Sequence, residues 1–545
     1  MIKNQIATYI EQTLNNLGIK YSNDIIVQDP RNQKDVHYCT NIAMLLTKQL
    51  KMPPIDIAGK IVDDMTSYNT NFFETISIAK PGFINFKLNA SQYSKNLMTI
   101  INQGKNFGKS SVGKGKKALV EFVSANPTGP LTIGHGRGAI IGEFSSNILD
   151  WNGYQVEREY YFNNAGRQMR KLAESVYSHY AKKLNKEVAF PEDGYQGKYI
   201  IDIAQKLIDD FSDDFIDRKN LDDVKEYSEK IIFNDIQKTL KSLKIEFDNF
   251  FNETQLYENN EIYKIIDALK EKGLIYELDN ATWFKATSVG REQDRVLIKS
   301  TGEPTYRLPD MAYHKNKFDR NFDLIIDVFG ADHMDAYPDV LSVCENLGYD
   351  TSKVKVLVHQ FVTIQENGKP IKMSTRKANF ISLEDLINDV GADVVKFFFS
   401  MRGINSHLNF DLDLAKDESE QNPVFYIQYA HARAVNILYK SKDEGILKYE
   451  TFNHDLLIQD EEINLIKSLI EFPELINKSM NEMEPQLISN YLMDIASKFH
   501  HYYAKHKVIT DNKALSNART VLVDSIRQIL FNGLSVLGIS APDKM

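Results

Sequence analysis

The fold of this chain is decided by residues 118–149, which read ALVEFVSANPTGPLTIGHGRGAIIGEFSSNIL. The apolar run at 118–123 predicts a buried strand, and the apolar residues of 139–149 recur at helical spacing. Gly134 and His135 therefore lie at a helix N-terminus, where unpaired backbone N–H groups attract anions and the missing Cβ lets a ligand approach. The stretch predicts a phosphate-binding strand–loop–helix unit, with an ordinary glycine-rich turn as the alternative.

The alternation of strand and helix patterns continues to about residue 402. It is typical of an α/β fold, a Rossmann-type parallel sheet with helices on both faces. The interval after the second strand is mostly helical in pattern and too long for a loop, which predicts an inserted helical subdomain at about 170–276. We assign residues 111–410 to the Rossmann-type domain, which includes this insertion. Its strands are predicted at residues 118–123, 157–162, 324–329 and 355–363.

Two further domains flank this unit. Residues 1–110 mix helix and strand patterns and predict a small α+β domain, which a connector rich in lysine, glycine and serine separates from the first strand of the sheet. Residues 411–545 carry helical periodicity and predict an all-α bundle. The bundle helices are predicted at residues 423–439, 461–476, 486–505 and 514–537.

Composition limits the compartment and the class of the protein. The chain has 545 residues and a net charge of −9, and its 43% hydrophobic and 26% charged residues are ordinary for a globular protein. No apolar run approaches the ~18 residues that span a bilayer, and the first residues lack the apolar core of a signal peptide. Cys39 and Cys344 are too few for a disulfide framework or a four-cysteine zinc site. We expect a cytoplasmic protein with no membrane partner and no structural zinc.

Two other phosphate-binding patterns compete with this interpretation. Residues 108–114 match a P-loop up to its lysine, but Gly115 stands where a Ser or Thr should bind Mg²⁺, and no strand precedes the run. Residues 134–139 satisfy the dinucleotide fingerprint, with Glu157 or Glu159 placed for a ribose. That fingerprint needs a tight turn directly after the strand, whereas a long loop intervenes here. A dehydrogenase is therefore the most distant alternative.

A distant basic segment explains more of the chain. Lys372 and Arg376 follow the last predicted strand and a turn at Asn367 and Gly368, so they would ride on a mobile loop at 365–380. A reaction that expels pyrophosphate builds negative charge on the phosphate oxygens, and cations brought there stabilise the transition state more than the ground state. Together with the glycine–histidine helix start, this loop predicts an ATP-dependent reaction that releases pyrophosphate.

These two segments resemble the signatures of class I aminoacyl-tRNA synthetases, and the chain as a whole resembles the arginyl-tRNA synthetases of bacterial type. Residues 132–135 read Thr-Ile-Gly-His where that class has His-Ile-Gly-His, and residues 372–376 read Lys-Met-Ser-Thr-Arg where it has Lys-Met-Ser-Lys-Ser. The resemblance implies a monomeric arginine–tRNA ligase that uses ATP with Mg²⁺, acts on L-arginine and tRNA-Arg, and commonly depends on bound tRNA for activation. Further matching runs are residues 81–86, 124–130, 161–168, 294–297, 304–306, 330–333, 422–433 and 537–542.

Selection of arginine can be argued from its chemistry. A guanidinium is planar, always charged and carries a fork of donors, so its recognition needs carboxylates placed for bidentate contact. Glu121 and Asp310 are the candidates, and the sequence leaves open which of them takes the guanidinium and which the α-ammonium. By resemblance, the amino-acid-binding positions are Glu121, Asn126, Tyr306, Asp310 and His333, with Ser124 close by.

The resemblance also implies the positions that act on ATP and tRNA. His135 and Lys372 would stabilise the transition state at the α-phosphate, and Thr132 would assist them. The ATP-binding positions would be Thr132, Gly134, His135, Gly330, Asp332, Lys372, Met373 and Ser374. Aromatic and basic side chains of the helical bundle suit stacking on unpaired bases. The tRNA-binding candidates among them are Tyr429, Arg433, Tyr502 and Tyr503.

Two departures from the family pattern keep other functions open. Thr132 replaces the first histidine of the signature, and Thr375 stands where the loop has its second lysine. A neutral hydroxyl contributes about 0.5–1.5 kcal/mol through a hydrogen bond, against about 1.5–3 kcal/mol with a charged group. Arg376, Lys377 or Lys369 could supply the missing cation. The alternatives are a catalytically silent tRNA-binding paralogue and a class I synthetase for another amino acid.

Overall fold

The computed structural model describes residues 2–30, 36–68, 71–164, 166–216, 218, 220–331, 334, 336–371 and 381–545 of the chain. Within these residues, no helix is long and apolar enough to cross a membrane.

An N-terminal unit packs helices against an antiparallel sheet. Its elements are α1 (Ile2–Asn16), β1 (Val27–Gln28), β2 (Tyr38–Thr40), α2 (Ile42–Leu45), α3 (Thr47–Leu50), α4 (Pro54–Tyr68), β3 (Phe73–Ala79), β4 (Phe83–Leu88), α5 (Ala90–Ser94) and α6 (Leu97–Gln103). The strand order is β1-β2-β4-β3. Apolar residues at helical spacing on α1, among them Ile6 and Ile10, are buried together with Ile57 and Ile61 of α4. The predicted small α+β domain is present.

The middle of the chain alternates strands and helices. It begins with β5 (Lys117–Glu121), α7 (Ile133–Trp151), β6 (Gln155–Phe162), α8 (Arg167–Lys183), α9 (Lys198–Phe211), α10 (Asp222–Ser242) and β7 (Asn249–Asn252). It continues with α11 (Thr254–Glu258), α12 (Glu261–Glu271), β8 (Ile275–Leu278), β9 (Ala281–Phe284), β10 (Arg295–Ile298) and α13 (Arg307–Asp319). It ends with β11 (Leu324–Gly330), α14 (Tyr337–Asn346), β12 (Val354–His359), β13 (Val362–Glu366), β14 (Lys369–Pro370), α15 (Leu383–Val390), α16 (Ala392–Ser400), β15 (Leu408–Asp411) and α17 (Leu412–Lys416).

Five of these strands form one parallel sheet in the order β12-β11-β5-β6-β7. The chain runs from β5 outward through β6 to β7, and later from β11 outward to β12, so the strand order reverses between β5 and β11. In open parallel sheets, ligands bind outside the carboxyl ends of the strands at such a reversal. The register places Glu121 opposite Asp327 at this edge. The topology therefore locates the site at the carboxyl ends of β5 and β11.

The predicted parallel sheet is confirmed, with two differences in its strands. The strand predicted at 355–363 is wrong as a single element, because β12 stays in the large sheet while β13 pairs with β15 and β14 in a small one. The break falls at Gln360, whose backbone N–H donates to the Ile404 carbonyl instead of continuing the ladder. The insertion, predicted as helical, also contributes β7 to the sheet edge, and β8, β9 and β10 form a separate antiparallel sheet.

The C-terminal part is a helical bundle, as predicted. Its helices are α18 (Pro423–Asp443), α19 (Asp460–Ile470), α20 (Phe472–Glu482), α21 (Gln486–Lys505) and α22 (Lys513–Val536). The single helix predicted at 461–476 is interrupted at Glu471, because Pro473 in the first turn of α20 cannot continue a helical ladder. Asn532 on α22 donates to the backbone carbonyls of Gly104 and Phe107, at 3.0 Å each, so the bundle packs against the connector that follows the N-terminal unit.

Candidate active site

A sharp turn directly after β5 shapes one wall of the site. The backbone N–H of Ser124 donates to the Phe122 carbonyl at 2.9 Å, which closes a three-residue turn around Val123. Val123 has a φ of 67° and Ser124 a φ of 41°, sparsely populated conformations that cost a non-glycine residue on the order of 1–3 kcal/mol each. The turn aims the Ser124 hydroxyl at Glu121, to whose Oε1 it donates at 2.8 Å, while it accepts from the Tyr161 N–H.

The start of α7 is built to receive an anion. Thr132 is its N-cap residue, and Thr132 and His135 form a reciprocal capping box. The Thr132 N–H donates to Nδ1 of His135 at 3.1 Å, so in the neutral ring the proton is on Nε2, the nitrogen that can donate to a ligand. Among the described residues, a Cβ at Gly134 would meet the Thr132 hydroxyl alone, at 3.7 Å, which leaves room for a ligand beside them. The predicted position of Gly134 and His135 at a helix N-terminus is confirmed.

Gly136 and Gly138 allow close packing of α7 rather than access of a ligand. A Cβ at Gly136 would lie 2.6 Å from a methyl group of Leu383, and one at Gly138 would lie 3.0 Å from Nε2 of His359. Both residues are inside α7 and allow its close packing. They are therefore not part of a phosphate-binding turn, which removes the structural basis of the dinucleotide alternative.

Hydrogen bonds join the start of α7 to residues near the strands of the small sheet. Arg137 is completely buried and donates to the carbonyls of Gln360 and Gly403 at 2.7 and 3.0 Å, and burial lowers the pKa of its guanidinium to about 10. The Leu383 N–H donates to the Leu131 carbonyl at 2.8 Å. The start of α7 and the loop before it are thus hydrogen-bonded to the chain on both sides of residues 372–380.

Two predicted arginine-pocket residues lie at the start of α13. Tyr306 is the N-cap residue, 62% exposed, with the Arg307 guanidinium 4.8 Å from its ring centroid. Asp310 is half-buried in the first helical turn, four residues later and so on the same face. The third predicted contact, Asn126, donates through its side chain to Gln168 at 2.7 Å. The predicted contacts of arginine thus come from the start of α13 and from the loop after β5.

A second buried acid, Glu253, lies on the Asp310 side of the pocket. It follows β7 directly and accepts from the Tyr161 hydroxyl at 3.0 Å. Burial, with the nearby Asp310 carboxylate, raises the pKa of Glu253 to about 7, while hydrogen bonds from Tyr161 and Tyr257 oppose that shift. In the described part of the chain, Glu253 has no cation that lowers its pKa. Glu253 and Asp310 thus form an acidic pair suited to a cationic ligand.

Beneath the pocket, acids and bases form a buried cluster. The Lys317 ammonium bonds to Oε2 of Glu121 and lies 2.6 Å from Oδ1 of Asp327. Nε2 of His314 is 3.0 Å from the other oxygen of Asp327, and its Nδ1 is 2.9 Å from the Asp310 carbonyl. Lys317 and His314, despite the cost of burying Asp327, hold the pKa of that carboxyl well below its usual range. We call Glu121, Lys317, Asp327 and His314 the buried ion cluster.

A basic cleft of about 480 Å³ opens beside Tyr306. Arg295, Lys299 and Arg307 line it together with Asp294, Trp283 and Tyr306. The buried Asp339 carboxylate pairs with three guanidinium groups, so positive charge stays in excess at the cleft even with Asp294 counted. Its ion-pair partners are Arg291, Arg295 and Arg307, at 3.1, 2.8 and 3.2 Å.

Part of the predicted site lies outside the described residues. Gly330 is the last residue of β11, at the same edge as Glu121. The structure therefore brings together the predicted residues on β5, the following loop, α7, α13 and β11. The predicted residues that it does not describe are Asp332, His333, Lys372, Met373 and Ser374. The hairpin that precedes the last three is confirmed, because β13 and β14 pair around Asn367 and Gly368, both at positive φ.

An aromatic and basic cluster lies on the surface of the helical bundle. The Arg433 guanidinium is 4.5 Å from the ring of Tyr429 and 5.2 Å from that of Tyr503, and both tyrosines are exposed. Burial and Arg433 lower the pKa of His500, which stacks on Tyr429. The prediction for Tyr502 is wrong, because its ring is completely buried in the bundle and presents no face to a base.

Sequence reasoning missed Glu253 and Lys317. Glu253 was overlooked because β7 was not recognised, although an acid after a short aromatic strand at a sheet edge is a usable signal. Lys317 carries a clearer signal, since Asp310, His314 and Lys317 recur at helical spacing on one face of α13. Acidic and basic residues that recur on one helix face predict a buried ion network where that face packs against a sheet.

Family models match each part of this chain. Residues 96–396 match the model described as tRNA synthetases class I (R), catalytic domain. Residues 4–88 match the arginyl tRNA synthetase N terminal domain, and residues 427–545 match the DALR anticodon binding domain.

Relatives match the chain over nearly its full length. It is 49% identical over 521 residues to an arginine–tRNA ligase of Desulfotalea psychrophila, covering 95% of this chain and 94% of that protein. It is 43% identical to an arginine–tRNA ligase of Salinibacter ruber, with 100% of both chains covered. A Campylobacter jejuni structure titled putative arginyl tRNA synthetase superposes with a TM-score of 0.77 at 30% identity, over 84% of this chain and 100% of that one. Thermus thermophilus arginyl-tRNA synthetase shares the fold, with a TM-score of 0.75 at 20% identity and full coverage of both chains.

Proposed function

The chain belongs to the arginyl-tRNA synthetase family and is an ATP-dependent arginine–tRNA ligase, and from that premise we propose how its residues divide the work. Arginine and ATP form arginyl-adenylate and pyrophosphate, and the arginyl group then passes to the 3′ end of tRNA-Arg with release of AMP. One observation supports this division above the others: the anion-binding start of α7 and the acids of the pocket lie at the same edge of the sheet. The reacting carboxylate and the α-phosphate can meet there.

We assign the two ends of arginine to different acids. Glu121 stands next to the phosphate-binding loop, so it receives the α-ammonium beside the carboxylate that attacks ATP. Its charge is already compensated by Lys317. Asp310 and Glu253 carry the charge that a guanidinium requires, and two carboxylates match its fork of donors. Tyr306 closes the pocket at its mouth.

Adenylate formation needs positioning and charge stabilisation, and no covalent enzyme intermediate. The arginine carboxylate oxygen bonds to the α-phosphorus while the bond to the leaving pyrophosphate breaks. His135 donates from Nε2 to an α-phosphate oxygen, Gly134 admits the nucleotide, and Thr132 holds His135 in its tautomer. We assign Lys372, Met373 and Ser374 to the phosphates of ATP, and Gly330, Asp332 and His333 to the nucleotide and the amino acid. Mg²⁺ enters with ATP as its counter-ion.

The tRNA meets two surfaces in this proposal. The basic cleft beside Tyr306 receives the single-stranded 3′ end, because it offers cations for phosphates and rings for stacking next to the arginine pocket. The surface cluster of Tyr429, Arg433 and Tyr503 receives unpaired anticodon bases. The protein acts as a monomer and needs no second copy to complete the site.

A charging assay tests the proposed activity directly. We expect the protein to attach arginine, and not lysine, glutamine or cysteine, to tRNA-Arg, and to exchange pyrophosphate into ATP when arginine and tRNA are present. Absence of exchange above the level of the His135→Ala variant, with tight tRNA binding retained, would instead identify a silent tRNA-binding protein.

Arginine affinity is expected to rise with pH near neutrality. Burial raises the pKa of Glu253 to about 7, so at lower pH the acid carries a proton that the guanidinium must displace. The KM for arginine should therefore fall by about tenfold from about pH 6 to about pH 8 and then level off. Asp310, Tyr161 and Tyr257 are the titratable groups that face Glu253. The pH dependence should disappear in Glu253→Gln; an unchanged slope in that variant would refute this assignment.

Tyr503→Ala is expected to weaken the binding of tRNA and to leave the binding of arginine unchanged. Stacking of a base on an aromatic ring contributes about 1–3 kcal/mol, so the KM for tRNA should rise roughly 5- to 150-fold. The KM for arginine in pyrophosphate exchange should stay within about twofold at saturating tRNA, because surface substitutions remote from a site have small effects. Tyr439→Ala, an exposed tyrosine on α18 outside the cluster, is the matched control. Equal effects of both substitutions would exclude a specific base contact.

A further inference from the structure

Lys317 lies beneath the pocket, and of the described residues that the proposed function assigns to the substrate it contacts Glu121. Its side chain is completely buried between Glu121 and Asp327, with the ammonium 4.4 Å from the ring centroid of Tyr313. A buried ammonium is costly to desolvate and needs good geometry to persist. Burial alone would lower the pKa of Lys317, but Asp327 and Glu121 raise it above its ordinary value, so the residue stays charged.

We propose that Lys317 is the positioning residue that holds the Glu121 carboxylate in the orientation that receives the α-ammonium of arginine. The inference rests on the role of Glu121 in the proposed function. Both oxygens of Glu121 have a defined partner, Ser124 at Oε1 and Lys317 at Oε2. Ser124 belongs to the strained turn after β5, whereas Lys317 belongs to a long helix, so Lys317 supplies the rigid contact.

The remaining contacts of the buried ion cluster fix Lys317 itself. Asp327 on β11 binds Lys317 at 2.6 Å and is held in turn by His314 at 3.0 Å. His314 also contacts the backbone carbonyl of Asp310 at 2.9 Å. Asp310, His314 and Lys317 are on the same helix, α13. The helix α13 therefore carries Asp310, which is assigned to the guanidinium. It also carries Lys317, which fixes Glu121, the acid assigned to the α-ammonium.

This arrangement sets the distance between the two ends of the substrate. The spacing between the carboxylates of Glu121 and Asp310 is decided by where α13 packs against β5 and β11, rather than by loops. Without Lys317, the carboxylates of Glu121 and Asp327 would share a buried site, and one of them would take up a proton. Glu121 would lose both its orientation and its charge.

The test compares two variants of the full-length protein in arginine-dependent pyrophosphate exchange at saturating tRNA-Arg. In Lys317→Met, we expect the KM for arginine to rise at least about tenfold, with the KM for ATP within about threefold, since only the amino-acid end loses its positioning. Asp327→Asn removes a charge from the buried ion cluster but keeps an Oδ1 that can accept from the Lys317 ammonium, so Lys317 stays fixed on Glu121. It should keep the KM for arginine within about threefold of the parent protein. Equal increases in both variants, or an unchanged KM in folded Lys317→Met, would overturn the proposal.

A double variant separates positioning from stability. Lys317→Met with Asp327→Leu also removes the carboxylate that Lys317→Met alone would leave buried beside Glu121, so the two acids no longer share the site. We expect its Tm to recover towards that of the parent while the KM for arginine stays raised. Recovery of both together would show a structural role only and refute the proposal. Glu121→Gln identifies failures of the premise: an unchanged KM for arginine there would refute the role of Glu121, whatever Lys317→Met shows.

Discussion

Asp310→Asn is expected to lower kcat/KM for arginine in pyrophosphate exchange by about 10²–10³-fold. Asparagine keeps the shape of the side chain and removes the charge, so the guanidinium would enter a desolvated pocket with one carboxylate fewer. Loss of one member of a buried charged pair costs about 2–5 kcal/mol, which corresponds to a loss of this size. The loss should appear in the KM for arginine and should reduce the discrimination against lysine, because lysine lacks the fork of donors that both carboxylates recognise.

Asp319→Asn is the matched control for this prediction. Asp319 is the last residue of the same helix, and its ion pair with Lys315, at 2.6 Å, is at the surface. Exposed pairs contribute about 0–1 kcal/mol, so kcat/KM should change by less than about fivefold. Full retention of arginine affinity in Asp310→Asn would assign the guanidinium to Glu121 and reverse the proposed orientation of the substrate.

His135→Asn is expected to lower kcat by about 10²–10³-fold and to leave the KM for arginine nearly unchanged. The asparagine Oδ1 can still accept from the Thr132 N–H, as Nδ1 of His135 does at 3.1 Å, so the start of α7 keeps its cap. The variant lacks the donor at Nε2. Removing one preorganised donor from a site of developing negative charge costs about 10²–10³ in kcat.

The companion variant His135→Gln tests the position of that donor. Its longer amide can place an N–H near the position of Nε2, so we expect it to restore part of the lost rate. Thermal unfolding of both variants should match the parent protein within a few degrees because the capping contact is a local one. If His135→Asn keeps the kcat of the parent protein, the donor at Nε2 is dispensable and the cap is the contribution of His135.

The sequence predicted the fold where its signals are local. Apolar runs and their spacing predicted the strand at 118–123 and the helix after Gly138. The residue types Asn367 and Gly368 predicted the turn. Glu121 and Asp310 were joined in one site by the chemistry of a guanidinium and by the family resemblance, and not by the strand pattern.

Other parts of the site depend on contacts between residues distant in the sequence. The partnership of Lys317 with Glu121 spans 196 residues, and no local pattern encodes it. Glu253 depends on β7, four residues long, which periodicity cannot distinguish from the surrounding helices. Tyr502 was predicted to contact tRNA but is buried in the bundle. An aromatic residue on an amphipathic helix can be a core residue or a surface contact, and the sequence does not distinguish the two. Local patterns identify elements, whereas packing decides which charged groups meet.

The contact between α22 and the connector after α6 bears on how the chain is made. Asn532 bonds to the carbonyl of Gly104, 428 residues earlier in the chain. At a synthesis rate of about 5–20 residues per second, the connector waits roughly 20 to 90 seconds on the ribosome for its partner. Its polar backbone groups and the apolar face of α6 stay uncovered during that time, which is when a nascent chain is most exposed to chaperones and proteases. A chain that ends before α22 never covers these groups. The presence of α22 therefore distinguishes chains with a covered connector from truncated ones.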